Sequence, residues 1–130
     1  HQLRNAITSN FDTYRGCAIA IADIESEDLR IIASQAADEM LNISGIQSSY
    51  VLYRTGDIVN ISARSMGAMN VQLIMEMLGG GGHQTMAAAQ LSNISVSDAK
   101  VRLLQVIDQF YAQINAQEEA PQERPEEMQN

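Results

Sequence analysis

Four consecutive glycines followed by a histidine form the segment of this sequence best suited to binding chemistry. Residues 79–82 are glycine, and His83 follows them directly. Glycine accepts positive φ and lets the backbone approach another group closely. Successive N–H groups in such a turn can line a concavity for an anion, phosphate above all, and the imidazole can donate a further hydrogen bond. The segment therefore makes Gly80, Gly81, Gly82 and His83 candidates for binding phosphate.

The glycines also allow a plainer interpretation as a flexible connector, in which His83 is an ordinary surface or core residue. Flexible linkers are usually bordered by polar sequence without structure. Here an apolar segment precedes the glycines, and the run MAAAQL follows two residues after His83. This setting favours a tight loop between packed elements, with the connector left open as the alternative.

A second candidate group lies on a predicted strand upstream of the glycines. Residues 49–54 and 58–65 are predicted to form a hairpin around Thr55, Gly56 and Asp57. Strand side chains alternate between faces, so Asn60, Ser62 and Arg64 share one polar face. A guanidinium there can hold a phosphate through two hydrogen bonds. The alternative is an exposed arginine in a weak surface ion pair.

The predicted elements alternate between strand and helix patterns. Asn70 is suited to cap a helix that ends at Gly79. An inner strand, a helix and a second strand open the domain as a βαβ-like unit. The fold class is therefore α/β: a mixed four- to five-stranded sheet packed against about three helices. The predicted strands span residues 17–23, 49–54, 58–65 and 87–91, and the helices residues 27–41, 71–78 and 96–114.

Composition narrows the classes of function. The 130 residues suit one domain, and the net charge of −8 argues against broad, charge-driven binding of nucleic acid. Cys17 is the single cysteine, which excludes an internal disulfide and favours a reducing compartment. The sequence has no cluster of Cys and His residues of the kind that binds a structural zinc ion. No stretch approaches the roughly 20 apolar residues of a membrane span.

The chain divides into three parts by composition. Residues 1–15 are interpreted as a linker or helix end from an upstream domain, and residues 16–115 as the folded domain. Residues 116–130 are rich in Glu, Gln and Pro, and we predict that they form a disordered acidic tail.

The glycine segment and the arginine strand together resemble a known family. The sequence GGGH at residues 80–83, followed by Ala87 and Ala88, resembles the GGGH…AA signature of DHHA1 domains, the accessory domains of DHH-type phosphoesterases. The wider run from ISARS at residues 61–65 to LGGGGHQTMAAAQ is most similar to the C-terminal part of bacterial membrane-anchored cyclic-di-AMP phosphodiesterases. Ala89 stands where many DHHA1 domains have glycine. The resemblance covers roughly residues 16–110.

The resemblance implies roles for individual residues. It places substrate-phosphate binding on Gly80, Gly81, Gly82, His83 and Arg64, with Ser62 and Asn70 as further candidates. It also implies a two-metal centre, usually manganese, on a DHH domain. The Asp-His-His ligands of that centre do not occur in this chain, so no catalytic residue and no metal are expected here. Two metal ions would generate the attacking hydroxide and stabilise both oxygens of the displacement.

The function implied is that of the substrate-binding half of a hydrolase that opens c-di-AMP to pApA together with an upstream DHH domain. This chain alone is expected to be inactive. It is expected to be a cytoplasmic domain without direct membrane contact, in a parent protein anchored in the cell membrane. The sequence leaves open whether the chain forms a homodimer.

Three alternatives remain at this point. One is a nuclease of short oligonucleotides such as pApA. Another is a non-catalytic nucleic-acid-binding module like the DHHA1 domains of alanyl-tRNA synthetases, which the acidic body and the single lysine, Lys100, disfavour. The third is a structural dimerisation domain in which the glycine segment only turns the chain.

Overall fold

A computed structural model describes residues 2–119, which form four helices and six strands. In chain order the elements are α1 (Gln2–Thr8), β1 (Phe11–Tyr14), β2 (Cys17–Ala22), α2 (Leu29–Met40), β3 (Ser48–Thr55), β4 (Ile58–Ser65), α3 (Val71–Glu76), β5 (Gly81–Gly82), β6 (Met86–Ser92) and α4 (Val96–Glu119).

The strands form one mixed sheet in the order β1-β2-β3-β4-β6-β5. Strands β2 and β3 are parallel and connected by α2, whereas every other pair is antiparallel. The α/β class and the βαβ-like opening are therefore confirmed. The sheet has six strands instead of four or five, because β1 and the two-residue β5 both add to it.

Each face of the sheet carries its own apolar core. One core joins Cys17, Ile19 and the inward residues of β4 and β6 to α3 and α4. The other joins Ala18, Ala20 and Ala22 to α1 and α2. The small alanine side chains let α2 approach the sheet closely, and its own alanines, Ala33, Ala36 and Ala37, are fully buried there.

Helix α2 covers only part of its face of the sheet. The apolar cluster beneath α1 and α2 takes strand residues from β2 and β3, and among residues 2–119 none of its buried members comes from β4 or β6. The polar row of β4 therefore borders an open strip between α2 and the glycine strand β5. That strip holds the candidate site.

Both ends of the chain depart from the predicted boundaries. Residues 2–14, interpreted as a linker or the end of a helix, form α1 and β1: Ile7 is buried, and Phe11 pairs with Ala20 of β2. Helix α4 continues to Glu119, so the prediction of disorder is wrong for residues 116–119. Residues 120–130 of the predicted tail lie outside the described residues. No helix between residues 2 and 119 is long and apolar enough to cross a bilayer.

Candidate functional site

A half-open groove of about 440 Å³ lies between α2 and β5. Arg30 and Ser34 of α2 form one wall, and the backbone of β5 forms the other. Its floor is built from β4 and β6. Ser62, Arg64, Gly81 and Gly82, four of the residues singled out from the sequence, line this one groove.

Side chains of helix α2 and strand β4 meet in pairs at matching intervals along the groove. Ser34 Oγ lies 3.3 Å from Ser62 Oγ, and Asp38 Oδ1 lies 3.0 Å from Arg64 Nε. Residues 30, 34 and 38 recur every helical turn and rise about 12 Å in total. Residues 60, 62 and 64 alternate on one strand face and span about 13 Å. The two rows therefore run in step, and Arg30 lies at the Asn60 end of the groove.

Arg64 is held in place before any ligand arrives. Its side chain is only 9% exposed. Nη1 donates to the Ala63 carbonyl at 2.9 Å and to Ser62 Oγ at 3.3 Å. Nε faces Asp38 at ion-pair distance but without hydrogen-bond geometry. An ion pair is thus present, but Arg64 is buried and not exposed as the alternative interpretation from the sequence required. Within residues 2–119 Nη2 has no hydrogen-bond partner, so it remains a donor for a ligand.

The first two glycines end helix α3. Gly79 has φ +84°, a conformation that glycine adopts without steric cost. The Gly79 amide donates to the Glu76 carbonyl at 3.0 Å, and the Gly80 amide donates to the Met75 carbonyl at 2.8 Å. The Gly80 amide is therefore engaged within the domain, and Gly80 lines a smaller neighbouring cavity of about 290 Å³.

Close packing against β6 explains two of the glycines. A Cβ atom on Gly80 would lie 2.1 Å from the Ala88 carbonyl oxygen, and one on Gly82 would lie 2.5 Å from Ala87 Cα. A Cβ atom on Gly81 would meet no atom within 4 Å. The segment is therefore a strand packed tightly on its neighbour, and the interpretation as a flexible connector is wrong.

The amides of the glycine segment point in different directions. His83 and Met86 exchange two backbone hydrogen bonds, with the His83 amide donating at 2.7 Å and the Met86 amide at 3.3 Å. Hydrogen-bonded and non-hydrogen-bonded pairs alternate in an antiparallel ladder. The Gly81 amide therefore faces β6, and the Gly82 amide faces away from it. The sequence suggested a series of free backbone amides in this segment. In the structure, the Gly82 amide points away from β6.

Two other candidate residues lie outside the groove lining. The Asn70 side-chain oxygen accepts from the amides of Gln72 and Leu73, at 3.0 and 3.4 Å, so this residue caps α3 as predicted. His83 is exposed at the end of β5, and its ring is not part of the groove lining. A role for either residue in phosphate binding stays a prediction.

The groove contains polar residues that the sequence analysis missed. They are Arg30 and Ser34 on α2, Tyr53 on β3 and Gln90 on β6, with Asp38 behind Arg64. Burial raises the pKa of the Tyr53 hydroxyl, while the charge of Arg30 acts in the opposite direction. The four-residue spacing of Arg30, Ser34 and Asp38 was a visible signal, but it gains meaning only once α2 lies beside β4.

The groove is positive although the chain is acidic. The chain has a net charge of −8, yet the groove lining includes Arg30 and Arg64 and no Asp or Glu. Asp38 compensates the charge of Arg64 from α2, so the net positive charge of the groove is that of Arg30. Such a lining selects for anions. Within residues 2–119 no group of three or more His, Cys, Asp or Glu side chains could hold a metal ion. The described residues therefore do not fit a two-metal centre.

Sequence comparison gives close relatives. The family model described as the DHHA1 domain matches residues 16–113. The cyclic-di-AMP phosphodiesterase PdeA of Listeria monocytogenes is 42% identical over 110 residues, which is 83% of this chain and 17% of the relative. The cyclic-di-AMP phosphodiesterase GdpP of Bacillus subtilis is 48% identical over 98 residues, or 72% of this chain and 15% of the relative. The chain thus spans about a sixth of the curated relatives it matches.

Solved structures share the fold at low identity. An exopolyphosphatase-related protein from Bacteroides fragilis aligns with a TM-score of 0.64 and 19% identity, over 86% of this chain and 34% of that one. The C-Ala domain of alanyl-tRNA synthetase from Aquifex aeolicus aligns with a TM-score of 0.55 and 14% identity, over 75% of this chain and 96% of that one. The family match covers most of the folded part, and the chain belongs to the DHHA1 domain family.

Proposed function

We propose that this DHHA1 domain binds the phosphate of c-di-AMP for hydrolysis to pApA by a parent phosphodiesterase. The observation that carries the proposal is that Arg64 and the glycine strand line one groove of positive charge. The identity of 42–48% to curated cyclic-di-AMP phosphodiesterases supports this choice of substrate.

In this proposal the domain positions the substrate and contributes charge. Arg64 Nη2 donates to a phosphate oxygen, and Ser62 holds the guanidinium through Nη1. Hydrogen bonds from a cation to phosphate are among the strongest in proteins. A guanidinium fixed in this way orients the phosphodiester and neutralises its charge in a site that needs no rearrangement.

The bond-breaking chemistry belongs to another part of the parent protein in this proposal. We place manganese on a DHH domain upstream, which would supply the metal-activated hydroxide. The groove would then face that domain, with the nucleotide between the two. The parent protein is proposed to be membrane-anchored, with this domain in the cytoplasm.

Amide chemical shifts of the ¹⁵N-labelled chain during titration with c-di-AMP test the binding role. We expect the largest shifts at Gly81, Gly82, Ser62 and Arg64, because these residues line the groove. Saturating shifts confined to α4 or to the β1 edge would contradict the proposal, as would the absence of any shift at millimolar ligand. Comparison with pApA would reveal whether a linear dinucleotide is the preferred ligand.

Kinetics of the parent enzyme test the catalytic contribution. Arg64→Ala should lower kcat/KM by an amount equivalent to about 1–3 kcal/mol, since it removes one charged hydrogen-bond partner. Arg102→Ala is the matched control because Arg102 is an exposed arginine on α4, which packs on the opposite face of the sheet. Equal kinetics of the two variants would remove Arg64 from the site.

A further inference from the structure

Two methionines near the groove are exposed to solvent. Met66 is 67% exposed and Met86 is 50% exposed. The other methionines between residues 2 and 119 are buried or half-buried: Met40, Met69, Met75 and Met77. A dissolved oxidant converts accessible methionine to its sulfoxide. Among the described residues, Met66 and Met86 are therefore the methionines that such an oxidant reaches first.

Met86 differs from Met66 in its position relative to the candidate site. Met86 lines the groove, and Met66 is not part of the lining. In the ladder between β4 and β6, Met86 lies directly opposite Arg64. The next pair is joined by a hydrogen bond, since the Ser65 amide donates to the Thr85 carbonyl at 3.0 Å. Arg64 and Met86 are therefore a non-hydrogen-bonded pair, with Cα atoms about 4.5 Å apart and side chains on one face.

The Met86 thioether is a weak acceptor beside a donor that has no partner. Arg64 Nη1 donates to Ser62 Oγ and to the Ala63 carbonyl, whereas Nη2 has no hydrogen-bond partner within residues 2–119. Thioether sulfur accepts hydrogen bonds only weakly, but oxidation converts it to a polar sulfoxide. Long side chains directly opposite each other on one face of a sheet are within reach of each other. An oxygen atom on the Met86 sulfur would thus give Nη2 an acceptor inside the groove.

We propose that Met86 is an oxidation site whose sulfoxide accepts a hydrogen bond from Arg64 and so closes the phosphate position. The oxidant is a peroxide. The sulfur attacks one peroxide oxygen, the O–O bond breaks, and the departing hydroxide takes the proton of the transferred hydroxyl and leaves as water. Sulfur loses two electrons and the peroxide gains them. Two thiols reverse the step, since they become a disulfide and the oxygen leaves as water.

This inference rests on the proposed function, because it assigns the sulfoxide to the same donor, Nη2, that binds phosphate there. It adds a means of regulating that site. The Met86 sulfoxide is uncharged, so a phosphate must displace it from the guanidinium before binding. The expected result is weaker binding of the anion, with the fold of the domain retained.

Treatment of the chain with hydrogen peroxide, followed by peptide mass spectrometry and titration with c-di-AMP, tests the proposal. We expect one added oxygen on the peptides that contain Met66 and Met86 before any on that containing Met40. Oxidation at Met86 should weaken binding about tenfold, as expected for one charged hydrogen bond. Reduction with a methionine sulfoxide reductase should restore the affinity.

Two variants assign the effect to one sulfur atom. The readout for each variant is the ratio of its own affinities before and after peroxide. Met86→Leu removes the thioether with little change in side-chain volume, so its ratio should stay near one. Met66→Leu is the matched control, because it removes the more exposed methionine outside the groove, and its ratio should equal that of the wild type. The amide spectrum of each oxidised chain verifies its fold.

The outcomes separate this inference from the function beneath it. If Arg64→Gln weakens c-di-AMP binding about tenfold but oxidation of the wild type changes it less than twofold, the oxidation site is overturned and the proposed function stands. An equal loss in oxidised Met86→Leu also overturns it. If neither Arg64→Gln nor oxidation alters the affinity, both proposals fail.

Discussion

The carboxylate of Asp38 and the guanidinium of Arg64 lie 3.0 Å apart across the groove, joining α2 to β4. The side chain of Arg64 is 9% exposed and that of Asp38 is 60% exposed. The cation is therefore fixed within the floor, while its partner remains in contact with water. This pair both orients Arg64 and fastens the helix to the strand beyond the apolar core of that face.

Asp38→Asn should lower the free energy of unfolding by about 1–3 kcal/mol, because it leaves a largely buried cation without its counter-charge. Urea denaturation followed by circular dichroism measures the change. Glu39→Gln is the matched control: Glu39 pairs with Arg4 at 3.0 Å, but the Arg4 side chain is 28% exposed and that of Arg64 only 9%. Its loss should stay below about 1 kcal/mol. Equal losses would show that the Asp38–Arg64 pair stabilises the fold no more than the Arg4–Glu39 pair does.

Gly80→Ala and Gly81→Ala should differ in stability although the residues are neighbours. A methyl group on Gly80 would overlap the Ala88 carbonyl, whereas one on Gly81 meets open space. We expect Gly80→Ala to cost about 1–3 kcal/mol through overpacking and Gly81→Ala to leave the thermal midpoint nearly unchanged. A stable Gly80→Ala protein would mean that β5 does not lie so close to β6.

His83→Ala should change the affinity of this chain for c-di-AMP less than twofold, because the exposed ring lies outside the groove lining. Calorimetric titration measures this affinity. A large loss in the isolated chain would place the imidazole inside the groove.

Low pH should weaken the contact of Asp108 with Tyr14 and Arg15, on the face of the sheet opposite the groove. Arg15 and Tyr14 donate to the Asp108 carboxylate at 2.8–2.9 Å, and these hydrogen bonds lower the pKa of Asp108. A lowered pKa in the folded state stabilises the fold above the ordinary carboxyl value of about 3.9. That stability is lost as the pH falls through the lowered value.

Asp108→Asn should therefore be less stable than the wild type at pH 7, and the difference should shrink below about pH 4. Denaturant titrations at a series of pH values measure it. Asp98→Asn, at an exposed residue of the same helix, is the comparison. A stability difference between Asp108→Asn and the wild type that stays constant from pH 7 to pH 3 would contradict the stabilising role of the Asp108 carboxylate.

Local patterns predicted most of the elements correctly. The apolar spacing of residues 71–78 gave α3 to within two residues, and Asn70 caps it through two backbone amides. The turn at Gly56 correctly placed the β3–β4 hairpin, and the alternation along β4 correctly put Asn60, Ser62 and Arg64 on one face. These features depend on neighbours in sequence, which is why they could be predicted.

Features set by distant contacts were missed. Strand β5 has no side chains and only two residues, so no alternation marks it, and its existence depends on pairing with Ala87 and Ala88. The need for glycine at residues 80 and 82 likewise arises from the approach to β6. Arg30 and Asp38 join the site only because α2 packs beside β4, a tertiary arrangement that no local pattern specifies.

The affinity of this chain for c-di-AMP before and after Gly81→Glu is the most direct measurement of whether the groove is the phosphate site. A Cβ atom on residue 81 would meet no atom within 4 Å, so the substitution should fold, and because Gly81 lines the groove it adds a carboxylate at the groove wall. We expect Gly81→Glu to weaken the binding of c-di-AMP at least about tenfold, because of like-charge repulsion and steric exclusion. The control Gln105→Glu, at an exposed residue of α4, should leave the affinity unchanged. Equal affinity of Gly81→Glu and the wild type would contradict phosphate binding in this groove.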